Sequence, residues 1–192
     1  MKTIKSNLIN EIEINKSRFI CLLKPLNSLE ETEIFLKSAY KEYPHATHYC
    51  FAYIFDNYKK CSDNGEPTGT AGIPILNVLE QNELNRVICI VIRYFGGIKL
   101  GAGGLVRAYT KSVTSTIDNI IDLIPAYQIT LTFSYDNLKK IDYLLKEYPI
   151  LLKEFTDFII YKIKIPKSDF NILNKKLKNL IINIQIETET FL

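Results

Sequence analysis

The sequence predicts an α+β protein of two domains, residues 1–124 and 125–192. Three observations lead there. All 8 glycines of the 192-residue chain lie between Gly65 and Gly104, so the first part carries a concentrated turn region. After Pro125 the chain contains no glycine and its apolar patterning becomes much cleaner. Within that second part, the stretches follow in the order β-α-β-β-α-β, the order of a ferredoxin-like domain.

Residues 3–14 and 17–26 carry β-branched and apolar residues suited to two strands, with Asn15-Lys16 as the turn. Ser28 opens a helix: with Glu31 it fits a capping box, and acids crowd the first turns. Pro44 stops that helix. Thr47 to Phe55 alternates His48, Cys50, Ala52 and Ile54 with Tyr49, Phe51, Tyr53 and Phe55. This is a strand whose second, aromatic face should also pack. Asp56 to Asn64 is polar and is expected to be a loop. Ile73 to Leu84 can form a helix, with Pro74 tolerated in its first turn. Val87 to Ile92 is apolar on both faces and should be a central, doubly covered strand. Leu105, Tyr109, Val113, Ile117 and Ile120/Ile121 recur at helical spacing, which predicts a helix running almost to Pro125. In the second domain, Tyr127 to Tyr135, Ile150 to Phe155, Phe158 to Ile165 and Ile182 to Glu187 are strands. Helices are expected around Leu138–Tyr148 and Phe170–Leu180.

Composition narrows the function classes. Hydrophobic content of 47% and charge of 23% are those of an ordinary globular protein. A net charge of +3 neither demands nor excludes a nucleic-acid partner, and no DNA specificity is inferred from it. The longest apolar run, Val87–Ile92, is too short to cross a bilayer, so no membrane partner is expected. The four cysteines, Cys21, Cys50, Cys61 and Cys89, form no C-x-x-C pair, and no secretory signal is apparent. They are expected to be free thiols in a reducing cytoplasm.

Three kinds of chemistry can be weighed. His45, His48, Cys50 and Cys61 offer metal-binding atoms, but their spacing matches no zinc pattern, and neither metal nor cofactor is expected. Asp63 and Glu66 flank Gly65, and with His48 they could do acid–base work in a cleft. Equally, Asp63 could cap a turn and Glu66 could pair with Arg93 or Arg107. In that role Asp63, Gly65, Glu66, Thr68 and Gly69 organise the first glycine loop. The second loop, Gly101-Ala102-Gly103-Gly104, leads straight into a helix, whose free N–H groups can hold phosphate. Arg93, Lys99, Arg107 and Lys111 surround it, the last two at i,i+4 on one face.

The motif Asp63-Asn64-Gly65-Glu66-Pro67-Thr68-Gly69-Thr70-Ala71-Gly72 is followed by Arg93-Tyr94-Phe95-Gly96-Gly97-Ile98-Lys99-Leu100-Gly101-Ala102-Gly103-Gly104-Leu105-Val106-Arg107. Together they resemble the signature of the YigZ/IMPACT family. Ser17-Arg18-Phe19 and Thr47-His48-Tyr49-Cys50 also resemble family positions, and the second domain resembles that of the bacterial YigZ branch. The resemblance implies an N-terminal domain similar to domain 2 of ribosomal protein S5. It implies a ferredoxin-like C-terminal domain similar to the fifth domain of elongation factor G. Eukaryotic members regulate translation, competing for the activator of a stress-responsive kinase. The expected function is therefore a translation-linked, non-enzymatic binding protein that contacts RNA, the ribosome or a regulatory protein. Its expected binding residues are Arg93, Lys99, Gly101, Gly103, Gly104, Arg107 and Lys111. The alternative is an enzyme acting on a small phosphorylated or peptide-like substrate through Asp63, Glu66 and His48.

Overall fold

The computed structural model describes residues 1–192. It divides into two compact units, Met1–Asp122 and Leu123–Leu192.

The first unit contains strands β1 (Lys2–Ile4), β2 (Leu8–Ile14) and β3 (Ser17–Pro25), helix α1 (Glu30–Glu42), and strands β4 (His48–Phe55) and β5 (Tyr58–Ser62). Helix α2 (Gly72–Gln81), strand β6 (Val87–Tyr94), helix α3 (Gly101–Thr114) and strand β7 (Ile120–Asp122) complete it. Five strands form an antiparallel sheet in the order β2-β3-β6-β4-β5, with β6 in the middle.

The sheet is buried on both faces because its central strands are apolar on both. On one face Cys21, Cys50, Cys89 and Val91 pack with Ile75 and Leu79 of α2 and with Leu105, Tyr109 and Val113 of α3. On the other, Ile20, Ile88, Ile90 and Tyr49 pack with Ala39 of α1, and Phe51, Tyr53 and Phe55 lean on that layer. The aromatic face of β4 thus packs, as its alternation predicts.

Four local expectations are corrected. Residues 3–14 do not form one strand but break between β1 and β2. Asp56–Asn64 is not a loop throughout. Asp56 turns the chain at φ 52°, and β5 pairs back on β4 from Phe55↔Tyr58 to Phe51↔Ser62. Its polarity is that of an edge strand exposed to water, which hides the strand signal. The helix expected to reach Ile121 ends at Thr114. There the Thr114 and Ser115 hydroxyls donate to carbonyls of the last turn, and Asn119 turns at φ 52°. Ile120 and Ile121 then pair with β1, which supplies backbone partners that the helical pattern could not reveal. Finally, α1 starts at Glu30 without a side-chain cap. The Ser28–Glu31 capping box does not form; Glu31 accepts instead from the Asn27 side chain at 3.2 Å.

The second unit contains β8 (Pro125–Phe133), a short 3-10 turn, α4 (Leu138–Leu145), β9 (Ile150–Phe155), β10 (Ile159–Pro166), α5 (Lys167–Leu177) and β11 (Asn183–Phe191). Its antiparallel sheet has the order β11-β8-β10-β9. Ile129, Leu131, Phe133, Tyr161, Ile163 and Ile165 point to the helix side and pack with Ile141, Leu145, Leu173 and Leu177. The period-2 alternation of β8 and β10 and the helical stripes of α4 and α5 meet in that one layer.

Candidate binding site

The site is built where β4, the segment after β5, the end of β6 and the start of α3 converge. Asp63 follows β5 directly. Its carboxylate accepts N–H bonds from Gly69 at 2.8 Å, Ala71 at 3.0 Å and Gly72 at 2.8 Å. It therefore acts as the N-terminal cap of α2 from outside the helix, and it folds residues 64–70 into a closed loop. Gly65 and Gly69 take φ +84° and +77° in that loop, where a side chain would be strained. Thr68, expected to help organise the loop, is exposed and makes no side-chain hydrogen bond. Thr70 does so instead, donating to the Pro67 carbonyl at 2.6 Å.

Burial raises the Asp63 pKa, but the three N–H bonds outweigh it and hold the carboxyl below its usual value. Asp63 contributes stability that is fully present above the unfolded carboxyl pKa of about 3.9 and is lost as pH falls through the lower folded value. In urea titrations from about pH 6 downward, Asp63→Asn is expected to lose stability at neutral pH and to show a shallower acid decline than the parent. Parallel declines would contradict this.

Glu66 sits on the loop closed by Asp63 and is almost wholly buried. Its Oε1 accepts from Arg93 Nη1 at 2.7 Å and from the Tyr109 hydroxyl at 2.8 Å. Arg93, at the end of β6, is 5% exposed. Its Nη2 reaches the Ser17 hydroxyl at 3.4 Å, and its Nε has no hydrogen-bond partner. Glu66 thus pairs with Arg93, not Arg107. Cys50 lies beneath, with Sγ 2.9 Å from the Asp63 carbonyl and 3.2 Å from the Tyr109 hydroxyl. Burial pushes the Cys50 thiol up to about 12, so it is no thiolate nucleophile near neutrality. Burial, with Cys50 and Glu66 beside it, likewise pushes the Tyr109 hydroxyl far above its ordinary value.

His48 Nδ1 lies 2.9 Å from the Asn64 carbonyl. A carbonyl can only accept, so Nδ1 carries the proton. The other ring nitrogen, Nε2, stands 3.8 Å from Glu66 Oε2.

Above this network opens a cavity of about 440 Å³. Its polar lining is Thr47, His48, Glu66, Arg93 and Lys99; its apolar lining is Pro67, Phe95, Leu100, Ala102 and Leu105, with Gly101 at the helix start. The cavity brings His48 and Glu66 together. Asp63 does not line it, so the three proposed acid–base groups do not share one cleft.

The second glycine loop has two different reasons for its glycines. At Gly96 a Cβ would come within 2.0 Å of the Lys16 backbone, so the turn between β2 and β3 presses against it. Gly97 and Gly101 need positive φ, at +87° and +68°. A Cβ on Gly103 would meet only Arg107 Nη1, at 3.5 Å. Helix α3 starts without a side-chain cap and without an acid in its first turn. Lys99 just before that start, Arg107 in the second turn and Lys111 in the last turn are exposed, and none takes part in an ion pair. Sequence reasoning missed Ser17, Thr47 and Asn64 as members of the site, and it placed Tyr109 on the α3 stripe without its bond to Glu66. Ser17 and Thr47 fall inside the short family-like motifs, a signal that could have drawn them in: their hydroxyls accept from the Gly96 and Phe95 amides.

Residues 15–117 match the family model of the Impact N-terminal domain. The chain belongs to the IMPACT family. The family member YvyE of Bacillus subtilis (strain 168) is 43% identical over 157 residues, which cover 79% of this chain and 72% of YvyE. The member YigZ of Escherichia coli (strain K12) is 33% identical over 174 residues, 86% of this chain and 85% of YigZ. A solved structure described as that of a hypothetical protein superposes with a TM-score of 0.67 at 30% identity, over 93% of this chain and 91% of the other. The IMPACT model thus covers β3 to α3, the elements that carry every residue of the site described above. No helix is long and apolar enough to cross a membrane.

Proposed function

We propose that this IMPACT-family chain is a translation-linked cytoplasmic binding protein that contacts single-stranded RNA through the face around the start of α3. One observation carries the reading: Lys99 beside an uncapped helix start, and Arg107 and Lys111 further along the same helix, stand exposed and without ion-pair partners. Free helical N–H groups with basic neighbours suit backbone phosphates. Family membership supports the link to translation through the role of the eukaryotic members. Four free thiols are in keeping with a reducing compartment. On this reading the first unit is of the ribosomal protein S5 domain 2 type. The second is ferredoxin-like, an assignment supported by its β11-β8-β10-β9 order.

A charge reversal tests the proposal. Lys99→Glu with Arg107→Glu is expected to weaken RNA binding by at least about tenfold and to flatten its salt dependence. Both side chains are exposed, so thermal stability should stay within about 1 kcal/mol of the parent. Unchanged affinity in a folded variant would remove this face from the RNA contact.

A second reading has its own observation. Ile98, in the loop before α3, and Val106, on α3, are 44% and 37% exposed, and aliphatic side chains do not stack on bases. They favour a ribosomal or regulatory protein as the partner. Loss of protein capture on Ile98→Ser with RNA affinity intact would support that reading.

A further inference from the structure

The cavity above Glu66 and Arg93 holds features that a flat phosphate-tracking surface does not require. Arg93 is nine-tenths buried and lines the cavity, yet its Nε has no partner. A buried guanidinium N–H left unsatisfied costs free energy and calls for an acceptor. The start of α3 lines the same cavity through Leu100, Gly101 and Ala102, and its first-turn N–H groups are uncapped. Lys99 stands at the wall with no ion-pair partner. Glu66 balances the Arg93 charge, so the uncompensated positive potential comes from Lys99 and the helix end. Together these donors suit one compact anion.

The remaining wall is apolar. Phe95 lines the cavity while 46% exposed, and its ring is set 5.5 Å from the Arg93 guanidinium carbon. A half-open aromatic ring beside an anion subsite is a platform for a planar ring carried by the same ligand. A volume of about 440 Å³ is within the range of small-ligand sites.

We propose that this cavity binds a single nucleotide unit, its phosphate between Lys99, Arg93 Nε and the start of α3, its base against Phe95. The proposal rests on the RNA-binding reading and deepens it: one nucleotide of the strand is held in the cavity while Arg107 and Lys111 follow neighbouring phosphates outside.

Calorimetric titration of the full chain with adenosine monophosphate, adenosine and inorganic phosphate, at equal ionic strength, tests the pocket. The monophosphate is expected to bind at least about tenfold more tightly than either fragment. Phe95→Ala should remove its advantage over inorganic phosphate; Lys99→Ala should weaken both anions alike. A monophosphate no tighter than phosphate, or a preference that survives Phe95→Ala, overturns the proposal. A single-stranded oligoribonucleotide, with and without a terminal phosphate, separates the sources. Tighter binding of the phosphorylated end assigns the pocket to strand ends, and equal binding assigns it to internal nucleotides. Salt-sensitive RNA binding without any response to the monophosphate would sink the pocket and leave the RNA reading standing. Monophosphate binding without RNA binding would do the reverse, leaving a pocket for free nucleotides.

Discussion

Replacing Glu66 with alanine is expected to destabilise the first unit by about 3–5 kcal/mol, the largest effect of any single change in this network. The carboxylate and the Arg93 guanidinium are 3% and 6% exposed and meet at 2.7 Å. Taking away one partner leaves the other charge buried and uncompensated, and that penalty exceeds the net worth of the pair. Tyr109 loses its acceptor in the same step, so a second buried donor is orphaned. Glu66→Gln keeps an acceptor for both donors but not the charge, and should cost clearly less. Joint replacement of Glu66 and Arg93 by apolar residues of similar size should recover most of the loss. Urea unfolding of the four proteins measures this directly. A cost for Glu66→Ala under about 1 kcal/mol would mean that water reaches the pair.

Gly96→Ala is the second large effect. The new methyl would lie 2.0 Å from the carbonyl carbon and oxygen of Lys16 and 2.5 Å from the Ser17 nitrogen. These are backbone atoms and cannot swing aside. The β2–β3 turn must move, at about 1–3 kcal/mol or more. The shift would also stretch the 3.2 Å bond from the Gly96 amide to the Ser17 hydroxyl, on which Arg93 also leans. Gly103→Ala is the matched control. That position has ordinary space for a Cβ and lies in a helix, so alanine should be neutral or stabilising by up to about 1 kcal/mol. Equal destabilisation at the two sites would contradict the distinction between a glycine required by packing and one that packing leaves free.

Much of this fold was legible in the chain because burial imposes a period. The two-sided packing of β4 and β6 follows from Tyr49 to Phe55 and from Val87 to Ile92, where both faces carry apolar residues. The layers of the second unit follow in the same way. What stayed hidden was non-local or polar. Strand β5 carries Lys59 and Lys60 because its edge faces water, and it reads as a loop. Strand β7 depends on pairing with β1, more than a hundred residues away in sequence. At the site, Asp63 and Glu66 stood out by residue type, and Arg93 was one of two partners open to Glu66, but the amides that Asp63 binds were not legible. Asp63 caps a helix that begins nine residues later, and Glu66 had both Arg93 and Arg107 open to it. The participation of Tyr109 and Cys50 arises where the Tyr109 hydroxyl of α3 reaches the Cys50 thiol of β4, a contact that no local spacing encodes.

The most direct measurement of the central claim is the affinity of the full chain for a short unstructured RNA across a series of salt concentrations. If Lys99, Arg107 and Lys111 each neutralise one phosphate, log K should fall linearly with log salt, with a slope of about −2. Binding that ignores salt, or the absence of binding at low salt, would contradict the claim and transfer this face to a protein partner.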